Sequence, residues 1–201
     1  MIGRWVSILS LAIIITSCQC SEDEGSEKPF IPMEQAASEG ARIAEASQGA
    51  LASMLMKKIN EDGFEGAVTF CHVNALPLTD SLELIYNADI RRTSFRFRNP
   101  LNEPDSLDVV VLSEFERLHE LDSVPEPKVI QTSEGNLRYY SPIFAAPICL
   151  NCHGMPGEDL TADLHALILD EYPGDEAVGF EAGDVRGSWV IEFAKAFNSN
   201  Q

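Results

Sequence analysis

Basic residues are scarce in this sequence: 14 Lys and Arg stand against 32 Asp and Glu in 201 residues, a formal net charge of −18. That balance argues against a nucleic-acid or anionic membrane surface as partner, because both bind through positive charge. Long hydrophobic runs are also missing. The most apolar stretch, Ile8 to Ile15, is too short to cross a bilayer as a mature helix. Histidine is limited to four residues and cysteine to five, and no second Cys/His pair matches the spacing of the one near residue 150. A four-ligand zinc site is therefore not written in the chain. No internal repeat breaks the sequence, and its length and 45% hydrophobic content fit one domain with a sizeable core.

The Cys/His motif near residue 150, Cys149-Leu150-Asn151-Cys152-His153, has the spacing of covalent haem attachment. Each thiol adds across one porphyrin vinyl group, and two intervening residues let both sulfurs reach vinyls on adjacent pyrroles. The following imidazole then lies under the ring, where it can coordinate iron. A dithiol redox pair would instead open a helix after a strand, whereas this motif follows the proline-flanked Ser141–Pro147. The expected cofactor is thus one covalently attached haem c on Cys149 and Cys152, with His153 as an axial iron ligand.

The N-terminus is an independent indicator of compartment. Residues 1–17 carry Arg4 and then an apolar run of signal-peptide length. The run ends in Ile15-Thr16-Ser17-Cys18, which resembles a bacterial lipobox, so lipid attachment is expected at Cys18. The expected location is the cell envelope, facing the periplasm or beyond, anchored by lipid. Gln19 is not the acidic residue that often signals inner-membrane retention. Residues 18–31 are polar and acidic and read as a flexible linker; residues 32–201 form the expected haem-binding domain.

Periodicity predicts a long Ala-rich helix over 32–60, stopped by Asn60 and Gly63, and a short element over 66–75 ended by Pro77. Alternation predicts a strand over 91–99 with Phe95 and Phe97 on one face and Arg96 and Arg98 on the other. An amphipathic helix follows over 107–121, then a hairpin from strands at 129–132 and 136–141. After the haem motif come a helix over 161–172 with Thr161 as N-cap and a strand over 184–193. The expected class is α+β, a PAS-like antiparallel sheet flanked by helices with a long N-terminal helix. A small soluble cytochrome c carries its motif early in the mature chain, and here it comes late.

Several motifs then fall in a familiar order: Cys71-His72-Val73-Asn74-Ala75, Arg92 to Pro104, Tyr139 to Ile143, the haem motif with Gly154, and Gly179 to Gly187. The set resembles the bacterial family of single c-haem, PAS-like domains, the cyanobacterial Tll-type haem proteins. The resemblance covers most of residues 33–195 and implies a haem on a PAS-like scaffold, ligated by the motif histidine and by a cysteine of the earlier motif. Those positions are His153 and Cys71. Members of the family stand alone or serve as sensor regions of membrane signalling proteins.

The residues themselves leave the second axial ligand open among Cys71, His72, His119, His165, Met33, Met54, Met56 and Met155. With Cys18 assigned to lipid, Cys149 and Cys152 to haem and Cys20 to the linker, Cys71 is the thiol without another explanation. His72 beside it is the alternative ligand, or a group that tunes the sulfur through a hydrogen bond. Haem propionates need cationic partners, and Arg91, Arg92, Arg96, Arg98, Arg138 and Arg186 stand out in so acidic a chain. Arg96 and Arg98 are the candidate propionate contacts. Two functions follow: redox or small-ligand sensing through a His/Cys-ligated haem, or electron transfer by a monohaem envelope protein, each with a protein partner. Peroxidase-type catalysis needs distal acid–base groups, and the sequence assigns none.

Overall fold

The computed structural model describes residues 31–194. The signal segment, the lipidation candidate Cys18 and nearly all of the linker lie outside the described residues.

Helix α1 (Met33–Tyr86) supplies one layer. Ala36, Gly40, Ile43, Ala44 and Ser47 fall on one stripe and are buried, which is what pins this helix to the sheet. Gly40 sits so close to Tyr139 that an added Cβ would lie 2.3 Å from its ring. Gly63, at φ 72° and ψ −173°, breaks the helical path where the sequence predicted a stop. The chain then resumes as helix and runs straight through Pro77 to Tyr86, where Asn87 closes it in the left-handed conformation. A proline inside a helix costs roughly 3 kcal/mol. Here Leu78 and Leu82 pack into the core on the far side of it, and that burial outweighs the local penalty.

The sheet contains β1 (Asp89–Thr93), β2 (Lys128–Gln131), β3 (Leu137–Phe144) and β4 (Val185–Phe193), all antiparallel in the order β1-β4-β3-β2. One face presents Ile90, Leu137, Tyr139, Trp189, Ile191 and Phe193 to α1. Trp189 also donates its indole N–H to Gln48 at 2.9 Å. The other face sets Tyr140 and Val190 against Val111 and Phe115 of α2 (Ser106–Glu120). Asp105 opens α2 in a reciprocal capping box with Asp108. The buried Asp108 carboxylate then accepts bonds from Arg91, Arg138 and Tyr140, which locks the helix to the sheet. The fold is α+β, with an antiparallel sheet flanked by helices and a long N-terminal helix, as expected.

One element differs in a way that matters for the site. The strand predicted over 91–99 ends at Thr93. Ser94 turns the chain by donating to the Arg186 carbonyl at 2.7 Å, and Gly187 admits the close approach, since a Cβ there would lie 2.3 Å from the Thr93 oxygen. Phe95 to Arg98 therefore form a loop, and Arg96 and Arg98 do not share a strand face.

Candidate functional site

The motif at 149–153 is a tight double turn. Pro147–Cys149 form a 3-10 turn, with proline at its first positions, and Leu150–His153 continue as the single-turn helix α3. Gly154 closes it through its N–H to the Leu150 carbonyl at 2.8 Å, in a space where a Cβ would strike Asp159. Residues 177–180 run beside this turn as a strap, with Gly179 N–H bonded to the Gly154 carbonyl and Phe180 N–H to the His153 carbonyl. Helix α4 (Ala162–Glu171) lies below, its Leu164 and Ile168 packed on Val68 of α1, with Cys152 against the same cluster.

The strap sets the state of His153. Its Nδ1 lies 2.8 Å from the Ala177 carbonyl, which can only accept, so the proton resides on Nδ1 and the Nε2 lone pair is left for another partner. Burial, reinforced by Arg186 and Arg98, pushes His153 well below 6.5. The ring is therefore neutral, the form that ligates metals. Phe180 stands edge-on to it at 6.4 Å between ring centres.

The three free thiols of the described residues share this neighbourhood. Cys149 and Cys152 belong to the turn itself, and Cys71 comes from the second half of α1; all are half-buried. Burial pushes the Cys152 thiol up to about 11, against the pull of Arg98, and Cys71 is near enough to add to the rise. Cys71 is raised by burial too, with Arg92 and Arg98 acting in the opposite sense. His72, the next residue, turns elsewhere: its ring stands 4.9 Å from that of Tyr172 and its Nε2 3.9 Å from Glu171. His119 is on α2, 3.4 Å from Asp184. Met33, Met56 and Met155 are exposed.

The arginines divide into two kinds. Arg98 grips both oxygens of the fully buried Asp175 at 3.0 Å and donates to the Cys152 carbonyl at 2.6 Å. Arg96 donates to the Val178 and Gly179 carbonyls and lies over the Phe180 ring, 3.4 Å from its centre. Both groups that the sequence singled out for external carboxylates are thus engaged in holding the strap.

Arg186 also reaches Ser94 and the Arg96 carbonyl, each at 3.0 Å, yet its Nε is buried with no partner among the described residues. Arg92 lies over the ring of Trp189, 5.6 Å from its centre, and its side chain has no hydrogen bond or ion pair among the described residues. The sequence marked both only as two of six arginines in an acidic chain. The position of Arg92 depends on the β1–β4 register, which places it opposite Trp189.

Chemically the site offers two adjacent thiols, one neutral imidazole with a free Nε2, a third thiol from α1, and cationic groups. Among the described residues no group of three or more His, Cys, Asp and Glu side chains is arranged to hold an ion, so the donors do not form a zinc-type site.

A sequence model of the Tll0287-like family matches residues 27–194. No curated protein matches. Among solved structures, the chain is similar to that of the cyanobacterial heme-protein Tll0287, with 22% identity, a TM-score of 0.57, and coverage of 85% of this chain and 100% of the other.

Proposed function

This chain belongs to the Tll0287-like family, and from that premise we propose that it is a haem c-binding lipoprotein of the cell envelope, anchored through Cys18. Cys149 and Cys152 would hold one haem through thioether bonds, and His153, through Nε2, and Cys71 would supply the ligands to its iron. The observation that carries this reading is the Ala177 carbonyl on His153 Nδ1, which leaves a lone pair beside two thiols at the attachment spacing. The buried Arg186 Nε without a partner also fits a site built for an anionic group.

A haem so held would supply one-electron redox chemistry and small-ligand binding. The chain's own contributions are positional. Ala177 orients the imidazole, Arg98 fixes the Cys152 carbonyl, and Phe180 walls the His153 ring. Redox or small-ligand sensing is the preferred role, because Cys71 rides on the half of α1 that lies beyond the break at Gly63. A change at Cys71 is therefore passed to one helical segment. Electron transfer is the competing role, favoured by Ile148 and Met155, which flank the motif half-exposed and offer an apolar rim to a redox partner.

Electronic and EPR spectra of the wild type beside Cys71→Ala test the ligand set. The wild type should give a low-spin thiolate signal that the variant loses; an unchanged low-spin signal in Cys71→Ala would exclude the thiolate. Sensing requires that the reduced protein bind CO or NO, and a reduced form that stays six-coordinate and refuses both gases leaves electron transfer.

A further inference from the structure

We propose that Arg92 and Arg186 hold the two haem propionates. The inference rests on the haem reading above and adds the residues that receive the cofactor's anionic edge. Charge balance around His153 leads to it. Arg92, Arg98 and Arg186 all act electrostatically on that imidazole, and Arg96 lies close enough to act on Arg186. The one buried carboxylate among them, Asp175, is taken up in a two-point pair with Arg98. Arg96 is partly solvated, with Asp184 at 3.8 Å. Two guanidinium groups are left over. Burial pushes Arg186 down to about 9, with Arg98 and Arg92 adding to the fall, and it lowers Arg92 as well.

Burying a cation without a partner is unfavourable, and proteins avoid it or supply an anion. Acids are plentiful in this chain, yet among the described residues none is placed on the Arg92 side chain or on Arg186 Nε. An anion from outside the chain fits that gap. Haem brings two carboxylates on one edge, and a guanidinium presents a planar fork that matches a carboxylate. Arg186 keeps one side of its fork on Ser94 and the Arg96 carbonyl and leaves Nε for the ligand. Arg92, braced over the Trp189 ring, has all its donors available.

The test is redox potentiometry of haem-loaded full-length protein carrying Arg92→Gln, Arg186→Gln, Arg92→Lys or Arg186→Lys, with Arg42→Gln as a charge-matched control. Arg42 is paired with Glu39 on the exposed side of α1. Loss of a cation at the propionates favours ferric iron. Each Gln variant should shift the ferric–ferrous equilibrium about tenfold toward ferric, a fall of about 59 mV for one electron. Each Lys variant should recover most of the shift, and Arg42→Gln should move it less than twofold. Gln variants that retain stoichiometric low-spin haem at the wild-type potential overturn the assignment, as does an equal shift in Arg42→Gln. If Arg186→Gln does not accumulate, Arg92→Gln decides alone, since the Arg92 side chain has no hydrogen bond among the described residues to lose. Wild-type protein without covalent haem would instead overturn the parent reading.

Discussion

Asp108 is wholly buried, and its two oxygens accept from Arg91, Arg138, Tyr140 and the Asp105 N–H. Its neighbours respond: the Arg138 pKa is raised above its usual value by its bonds to Tyr140, Asp105 and Glu192 despite burial, and the Tyr140 hydroxyl is raised by burial and by Asp108. Removing Asp108 takes the shared buried acceptor from Arg91, Arg138 and Tyr140, while Arg138 keeps the close carboxylates of Asp105 and Glu192. Asp108→Ala should destabilise the protein by about 3–5 kcal/mol in urea unfolding. Asp105, half-exposed at the start of α2, should cost only about 1 kcal/mol as Ala. Burial works to raise Asp105, but the Asp108 N–H, Arg138 and Arg91 together bring it below 3.8. A depressed carboxylate contributes stability above its unfolded value and loses it as pH falls through the folded one. The Asp105 contribution should therefore begin to fall near pH 3.8 and be lost as pH drops on through the lower folded value, and with solvent screening the loss stays within about 1 kcal/mol. Asp105→Asn, followed by thermal unfolding from pH 6 to about 2, should flatten that part of the profile.

Helix α1 contains four glycines, and three of them, Gly40, Gly49 and Gly63, are in different situations. Gly49 has nothing within 4 Å of where a Cβ would stand, so Gly49→Ala should stabilise the protein by about 0.5–1 kcal/mol. Gly40 faces Tyr139 at 2.3 Å, so Gly40→Ala forces helix and sheet apart and should destabilise by about 1–3 kcal/mol. Gly63 lies in a region of backbone space nearly reserved for glycine, and Ala there should destabilise by roughly 1–3 kcal/mol. Chemical denaturation of the three variants checks the order, and a destabilised Gly49→Ala would refute this account of α1. The helix over 107–121, the 129–141 hairpin and the helix capped by Thr161 were legible because each has a local signal: an amphipathic stripe, a Gly turn, a threonine N-cap. The continuation of α1 through Pro77 and the end of β1 at Thr93 were not. Both depend on partners distant in sequence, Leu82 packing into the core and Arg186 accepting from Ser94.

At the scale of the whole molecule, a charge of −18 on a fold of this size sets up self-repulsion that the internal pairs do not relieve. Raising ionic strength from 0.01 to 0.15 M shortens the screening length from about 30 to about 8 Å. The thermal midpoint should rise over that range. A fall would mean that pairs such as Arg91–Asp108 and Arg138–Glu192 contribute more than the repulsion removes. The same acidity makes the cluster of arginines beside the 149–153 turn the exceptional region of the molecule, and it is there that the proposed ligand brings its negative charge.

The sequence by itself determined what is local: the Cys-x-x-Cys-His spacing, the α+β class, the helix caps and the hairpin turn, each encoded within a few residues. It also marked Cys71 as the thiol without another use. Only the tertiary structure decided what each arginine touches. Arg96 and Arg98 look equivalent to Arg92 and Arg186 on paper. They are distinguished by the Asp175 carboxylate and by carbonyls of residues 152, 178 and 179, brought to them by the turn at Ser94. A guanidinium is free or engaged according to what surrounds it, and that is a property of long-range packing.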